Sequence, residues 1–204
     1  MKLFIFDMGG VVVHNVMIIP QIAAELGITA DDFFRGAGSD PSVTHTSPYH
    51  LGDIAAFMKG EITTEQFWAN FTGRTGIAVQ GDPWYKHFSP VIDEGTVAVI
   101  KDLKNAGYRV VCGTNSLDAH YRRHQELGDY GCFDKVYASQ LMGIIKPDPE
   151  FWNRILREEN IEPKDAFFTD DFEENTEAAK KLGITAHLFT DAAELRKAAA
   201  PYLR

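Results

Sequence analysis

Cysteine is scarce. The chain has two, Cys112 and Cys132, both in apolar surroundings and without the CxxC spacing of a metal or redox pair, so both read as reduced packing residues. Basic clusters are missing too. Twenty Lys and Arg stand against 29 Asp and Glu, a net charge of −9, which excludes the positive face that nucleic-acid binding needs. An anion can then be held only at a locally built site. No apolar run approaches the roughly 20 residues of a membrane span. The first strand opens at Lys2, so no leader is expected ahead of it and the chain reads as cytoplasmic, a monomer or homodimer.

What the chain does have is rhythm. Residues 2–7 (KLFIFD) are short, aromatic and apolar on both faces, the pattern of a fully buried strand. From about residue 90, helices and strands alternate. VIDEGTVAVIKDLKNAG (91–107) predicts an amphipathic helix stopped by Gly107, YRVVCGT (108–114) a strand, LDAHYRRHQELG (117–128) a helix and DKVYAS (134–139) a strand. PEFWNRILREEN (149–160) follows as a helix with Pro149 in its first turn, and DAFFTDD (165–171) as a strand. EENTEAAKKLG (173–183) reads as a helix, ITAHLFT (184–190) as a strand, and DAAELRKAAAPYL (191–203) as a last helix capped by Asp191.

This alternation predicts an α/β fold, a Rossmann-like parallel sheet with helices on both faces. Residues 15–89 break it. MIIPQIAAELG, DDFFRGA, HLGDIAAFMKG and TTEQFWANFTGR read as short helices with no strand between them, and GSDPSVTHTSPYH (38–50) as a polar loop. The expected organisation is a core of residues 1–14 and 90–204, with a small helical insertion, 15–89, after the first strand.

Ligands collect at the C-terminal ends of the strands in such a sheet. Asp7 closes the first strand. Thr114 closes the second and is followed by Asn115 and Ser116, Lys146 follows the third, and Asp170 and Asp171 close the fourth, with Asn175 shortly after. A hard cation such as Mg²⁺ takes oxygen ligands, commonly one or two carboxylates plus substrate phosphate. A phosphoryl group needs positive charge, hydrogen-bond donors and an in-line nucleophile. Asp7 could be that nucleophile, forming an aspartyl-phosphate, which makes a small phosphorylated molecule the expected ligand.

The four stretches FDMGGV, VVCGTNS, GIIKPDP and FFTDDFEEN resemble, in order, spacing and placement, the four motifs of the haloacid dehalogenase-like (HAD) superfamily. The likeness covers nearly the whole chain, and the insertion falls where that superfamily carries a helical cap. GEITTEQFW and KPDPEFW are most similar to its bacterial sugar-phosphate phosphatase branch, which includes α-glucose-1-phosphate phosphatases. The resemblance implies that Asp7 attacks phosphorus and ligates Mg²⁺, with the Gly9 carbonyl as a second ligand. Asp171 would complete the protein ligands, with Asp170 beside it as ligand or support. Thr114 and the N–H of Asn115 would bind phosphate oxygens, and Lys146 would neutralise charge. Asn175 stands where a second carboxylate is common.

One position departs from the pattern. Most phosphatases of the superfamily carry a second aspartate two residues after the nucleophile, which protonates the leaving group and then activates water. Here that position is Gly9. Such proton transfer contributes roughly 10²–10⁴-fold, and its loss matters least when the leaving oxygen is already stabilised. Sugar 1-phosphates and other esters with good leaving groups are therefore the expected substrates. His14, the nearest titratable side chain in sequence, is a candidate to contact substrate or to stand in as acid/base. His45, Tyr49 and His50 could gate or read substrate, while Phe67, Trp68 and Trp84 are expected to pack in or under the cap.

Two other readings stay open. A C–halogen hydrolase would also lack the second aspartate, but has no use for the acidic pair. A phosphate-binding module without turnover would account for Gly9, but not for the intact Asp7, Lys146 and Asp171.

Overall fold

The structure, a computed structural model, describes residues 1–42 and 50–203. The chain runs from β1 (Leu3–Phe6) through β2 (Val13–His14) into five helices: α1 (Ile19–Leu26), α2 (Ala30–Gly36), α3 (Gly52–Met58), α4 (Thr64–Thr75) and α5 (Pro83–Lys86). It returns through β3 (Val91–Ile92) to α6 (Glu94–Asn105), β4 (Arg109–Thr114), α7 (Asp118–Leu127), β5 (Lys135–Ala138), α8 (Ser139–Met142) and α9 (Pro149–Glu159). It ends with β6 (Ala166–Asp170), α10 (Glu173–Lys181), β7 (Thr185–Leu188) and α11 (Ala192–Ala199).

Five strands form one sheet in the order β5-β4-β1-β6-β7, every pair parallel. Alternation along β1 decides the layering. Leu3 and Ile5 pack with Phe151, Trp152 and Ile155 of α9 and Ala179 of α10. Phe4 and Phe6 pack on the other face with Val99, Ile100 and Leu103 of α6 and Leu195 of α11. All four β1 side chains are fully buried, each contributing about 1.5–3 kcal/mol of apolar burial. The chain winds outward in both directions from β1, so the switch point of the sheet lies at its C-terminal end. Asp7 is the next residue.

Among the described residues, the insertion contributes five helices and no strand of this sheet. Capping boxes start two of them, Thr29 with Asp32 and Thr63 with Gln66. Its centre is aromatic: Phe67 lies 4.9 Å from Trp68 and 5.5 Å from Phe57, centroid to centroid, with Phe33 and Trp84 against them. This cluster also takes in Leu117, Ala119 and Ile145 from the sheet side. The Ser139 hydroxyl donates to the Met58 carbonyl at 2.6 Å, tying α8 to the end of α3.

The chain enters and leaves the insertion through one antiparallel ribbon, with Val13 opposite Ile92 and His14 opposite Val91. The helix expected from residue 91 therefore starts at Glu94. Asp93 caps it by accepting from the Thr96 N–H at 2.7 Å, and its other oxygen lies 2.9 Å from His14 Nε2. Both cysteines are free, and burial pushes the Cys112 thiol well up. Among the described residues no helix is long and apolar enough to cross a membrane.

Candidate active site

The Asp7 N–H donates to the Thr169 carbonyl at 2.9 Å, fixing the backbone of Asp7 beside β6. The chain then turns sharply: the Met8 carbonyl accepts from the N–H groups of Val12 and Val13 at 2.9 and 3.0 Å. Gly10 makes the turn possible with φ +75°, and a Cβ there would stand 2.2 Å from Asp171 Oδ2. Gly9 has an ordinary φ, and the nearest atoms to a Cβ there belong to the Val16 side chain, at 3.3 Å.

Lys146 is the centre of the site and is 1 % exposed. Its Nζ lies 2.9 Å from Asp7 Oδ1 and 2.6 Å from Asp170 Oδ2. Asn115 clamps the lysine's backbone: Oδ1 accepts from the Lys146 N–H at 2.8 Å and Nδ2 donates to its carbonyl at 3.0 Å. Asp170 is wholly buried, and also accepts from the Phe172 N–H at 2.8 Å and from Asn175 Nδ2 at 3.0 and 3.1 Å. Asp170 thus holds the lysine and the start of α10, while Asp171 lines the adjoining cavity.

The charges here do not balance. Burial pushes the Asp7 carboxyl up to about 7; Lys146 opposes the rise, and Asp170 and Asp171 add to it. Burial and then Asp170 raise Asp171 to about 6. Burial works against the Lys146 ammonium, but Asp170 and Asp7 outweigh it and hold it above its ordinary range. Three carboxylates offer oxygens within 4.8 Å of one another and face one ammonium. Asn175 Oδ1 is buried with no hydrogen-bond partner among the described residues. An all-oxygen donor set with excess negative charge and a spare buried acceptor fits a hard divalent cation such as Mg²⁺ and its bound water.

Gly10→Ala tests that fit. The added methyl must displace the Asp171 carboxylate, and Mg²⁺ affinity measured by calorimetry is expected to fall about 10–100-fold, the usual cost of disturbing the support of a metal site. Unchanged affinity would remove Asp171 from the ligand set.

A cavity of about 870 Å³ opens above these groups, between the strand ends and the inserted helices. Asp7, Gly9, His14, Thr114, Asn115, Lys146 and Asp171 all line it; Asp170 lies behind Lys146. His50 lines it too, its Nδ1 3.3 Å from Glu174 Oε1, with burial lowering its pKa and Glu174 opposing. His45 and Tyr49 lie outside the described residues. The glycine pair after Asp7 was readable as a tight turn, but the close approach of Gly10 to Asp171 and the Asn115 clamp left no signal in the sequence.

An acidic, lysine-centred oxygen site at the switch point of a doubly wound parallel sheet, with helices inserted above it, defines the class: a Rossmann-like α/β protein with its ligand site at the strand ends. Residues 1–183 match the family of haloacid dehalogenase-like hydrolases, and the chain belongs to that family.

It is 30% identical over 200 residues to a sesquiterpene phosphatase of Aspergillus oryzae, covering 93% of this chain and 90% of that protein. It is 25% identical over 196 residues to a D-ribitol-5-phosphate phosphatase of Bacteroides thetaiotaomicron, 90% of this chain and 89% of that one. Mouse acyl-CoA dehydrogenase family member 10 is 30% identical over 194 residues, 88% of this chain, but the chain spans only 17% of that protein's length. The fold is shared with a HAD-family enzyme of B. thetaiotaomicron solved with magnesium and inorganic phosphate. That match has a TM-score of 0.72 at 22% identity and covers 94% of this chain and 95% of that one.

Proposed function

We propose that this protein is a Mg²⁺-dependent phosphatase that hydrolyses a small phosphorylated metabolite through an aspartyl-phosphate on Asp7. The observation that carries the reading is Lys146 held between Asp7 and Asp170, with Asp171 beside them, at the floor of a cavity. Two relatives that match most of the chain are phosphatases, which supports it. Asp7, the Gly9 carbonyl and Asp171 would hold Mg²⁺, with Asp170 beside it, and the bound cation would neutralise charge on the phosphoryl oxygens.

An Asp7 oxygen forms a bond to phosphorus as the bond to the leaving oxygen breaks. That oxygen departs with its electron pair and takes a proton from water. A second water then cleaves the acyl phosphate, returning the carboxylate and releasing phosphate. The Thr114 hydroxyl and the Asn115 N–H bind the phosphoryl oxygens; the Asn115 side chain is already committed to Lys146. Lys146 offsets the charge of nucleophile and phosphate together. Residues 15–89 serve as the cap over residues 1–14 and 90–204, and His14 contacts substrate from the wall. With Gly9 supplying no acid, the leaving oxygen must carry charge well, as anomeric, aryl and acyl oxygens do. Sugar 1-phosphates are one such class.

Phosphate release from sugar phosphates and phenyl phosphate, with Mg²⁺ or chelator, tests the reading. Release is expected only with the metal. Binding needs Asp7 and Asp171 ionised, so Mg²⁺ is expected to raise the melting temperature at pH 8 and not at pH 5, with the change centred between 6 and 7. No metal-dependent release from any ester would leave an inert phosphate-binding module.

The leaving-group argument has its own test. Gly9→Asp has room to form once Val16 gives slightly. It is expected to raise turnover of alkyl phosphates relative to phenyl phosphate by about tenfold or more. An unchanged ratio would show that Gly9 does not set the preference.

A further inference from the structure

Away from its floor the cavity carries little charge. Among the described residues, no Lys, Arg, Asp or Glu lines it beyond Asp7, Lys146 and Asp171. Its histidines are mostly engaged with carboxylates behind the wall: His14 with Asp93 at 2.9 Å, His50 with Glu174 at 3.3 Å, His124 with Asp129 at 2.7 Å, and His87 with Glu25. Burial holds His120 neutral, its pKa lowered to about 3, and its ring stacks on Phe88 at 3.7 Å. The intervening wall is apolar, with Val16, Ile18, Ile54, Met58 and Leu117, while the uncharged polar side chains Asn15, Gln21 and Ser89 also line the cavity and are exposed.

The rim points the same way. Met17 is 53% exposed and Phe172 41% exposed, and both line this cavity, one leading into α1 and the other directly after Asp171. Single exposed apolar side chains are ordinary, but two at the mouth of one apolar cleft make a binding surface.

We propose that the leaving group is apolar, an aryl alcohol with a hydrocarbon tail gripped between Met17 and Phe172, and not a sugar. The proposal rests on the phosphatase reading of the same site. A sugar seated against Val16, Ile18, Ile54, Met58 and Leu117 would give up water on that side without gaining partners for its hydroxyls, which costs affinity. A hydrocarbon entering it gains about fourfold in binding for each methylene buried. The volume, about 870 Å³, lies in the upper part of the range that takes ligands of drug size and leaves space for a long tail beyond the phosphate.

A series of 4-alkylphenyl phosphates, methyl to hexyl, decides the matter, because the phenol oxygen keeps nearly the same basicity while the tail lengthens. kcat/KM is expected to rise by up to about fourfold per methylene, mainly through KM, and to exceed that for α-glucose 1-phosphate. In Met17→Gln/Phe172→Ser the rise is expected to flatten; both side chains are exposed, so the fold survives. A flat series, or glucose 1-phosphate as the better substrate, overturns the proposal while leaving the phosphatase reading standing. If no ester is hydrolysed, the phosphatase reading fails. Calorimetry with methyl- to octylphosphonate then still decides the pocket: affinity rising with length supports an apolar site, and equal affinities overturn it.

Discussion

Asp7→Asn is expected to abolish phosphate release, by a factor on the order of 10⁴ or more, and at the same time to stabilise the metal-free protein at pH 8. Both effects come from one carboxylate. The amide cannot form an acyl phosphate, so the nucleophile is lost. The stability effect follows from the raised pKa. From an ordinary value of 3.8 the Asp7 carboxyl is pushed up to about 7, so the folded chain binds that proton more tightly than the unfolded chain. As pH rises between those values, ionising Asp7 costs stability, and by pH 8 the whole cost is present. Asn occupies the same space without the charge, and Lys146 keeps Asp170 as its partner. A gain of a few kcal/mol is expected at pH 8 in chelator, shrinking toward pH 4. Urea midpoints at the two pH values measure it. A variant less stable than the parent at pH 8 would show that Lys146 already compensates Asp7 in full.

Lys146→Met is expected to act in the opposite direction on stability. It removes the one ammonium between two buried carboxylates, and breaking a buried pair from one side costs about 3–5 kcal/mol. Asp170, fully buried, is left with its charge answered only by Asn175 and a backbone N–H. The loss should shrink as pH falls and the carboxylates take up protons. Adding Asp170→Asn is expected to restore much of the stability and none of the turnover. If the double variant recovers activity as well, Lys146 supports the fold and has no part in the chemistry.

The strand-end site was legible because parallel strands buried on both faces are apolar runs that stop abruptly. KLFIFD and AFFTDD each break an apolar run with carboxylates, and the glycines closing several helices sharpen the alternation. Other features left no such trace. Val91 and Ile92 pair for two residues only, too few to show a period, so they read as part of the following helix. Asp170 and Asp171 are adjacent and identical in kind. Only the geometry separates the one that holds Lys146 from the one that faces the cavity. Met17 and Phe172 lie far apart in the sequence, and only the folded chain brings both to the lining of one cavity.

The two-residue ribbon of β2 and β3 bears on ancestry as well as on shape. Val13–His14 and Val91–Ile92 bring the two ends of a long excursion side by side. Closing a flexible loop becomes harder only logarithmically with its length, about 0.6 kcal/mol for each doubling. Once zipped, the ribbon presents the sheet with the same short gap whatever lies beyond it. Segments can be lost, gained or traded between lineages there while the register of β1 against β4 and β6 stays as it was. Selection can then rework the inserted helices in one stretch of gene and leave Asp7, Lys146 and Asp171, written elsewhere, untouched.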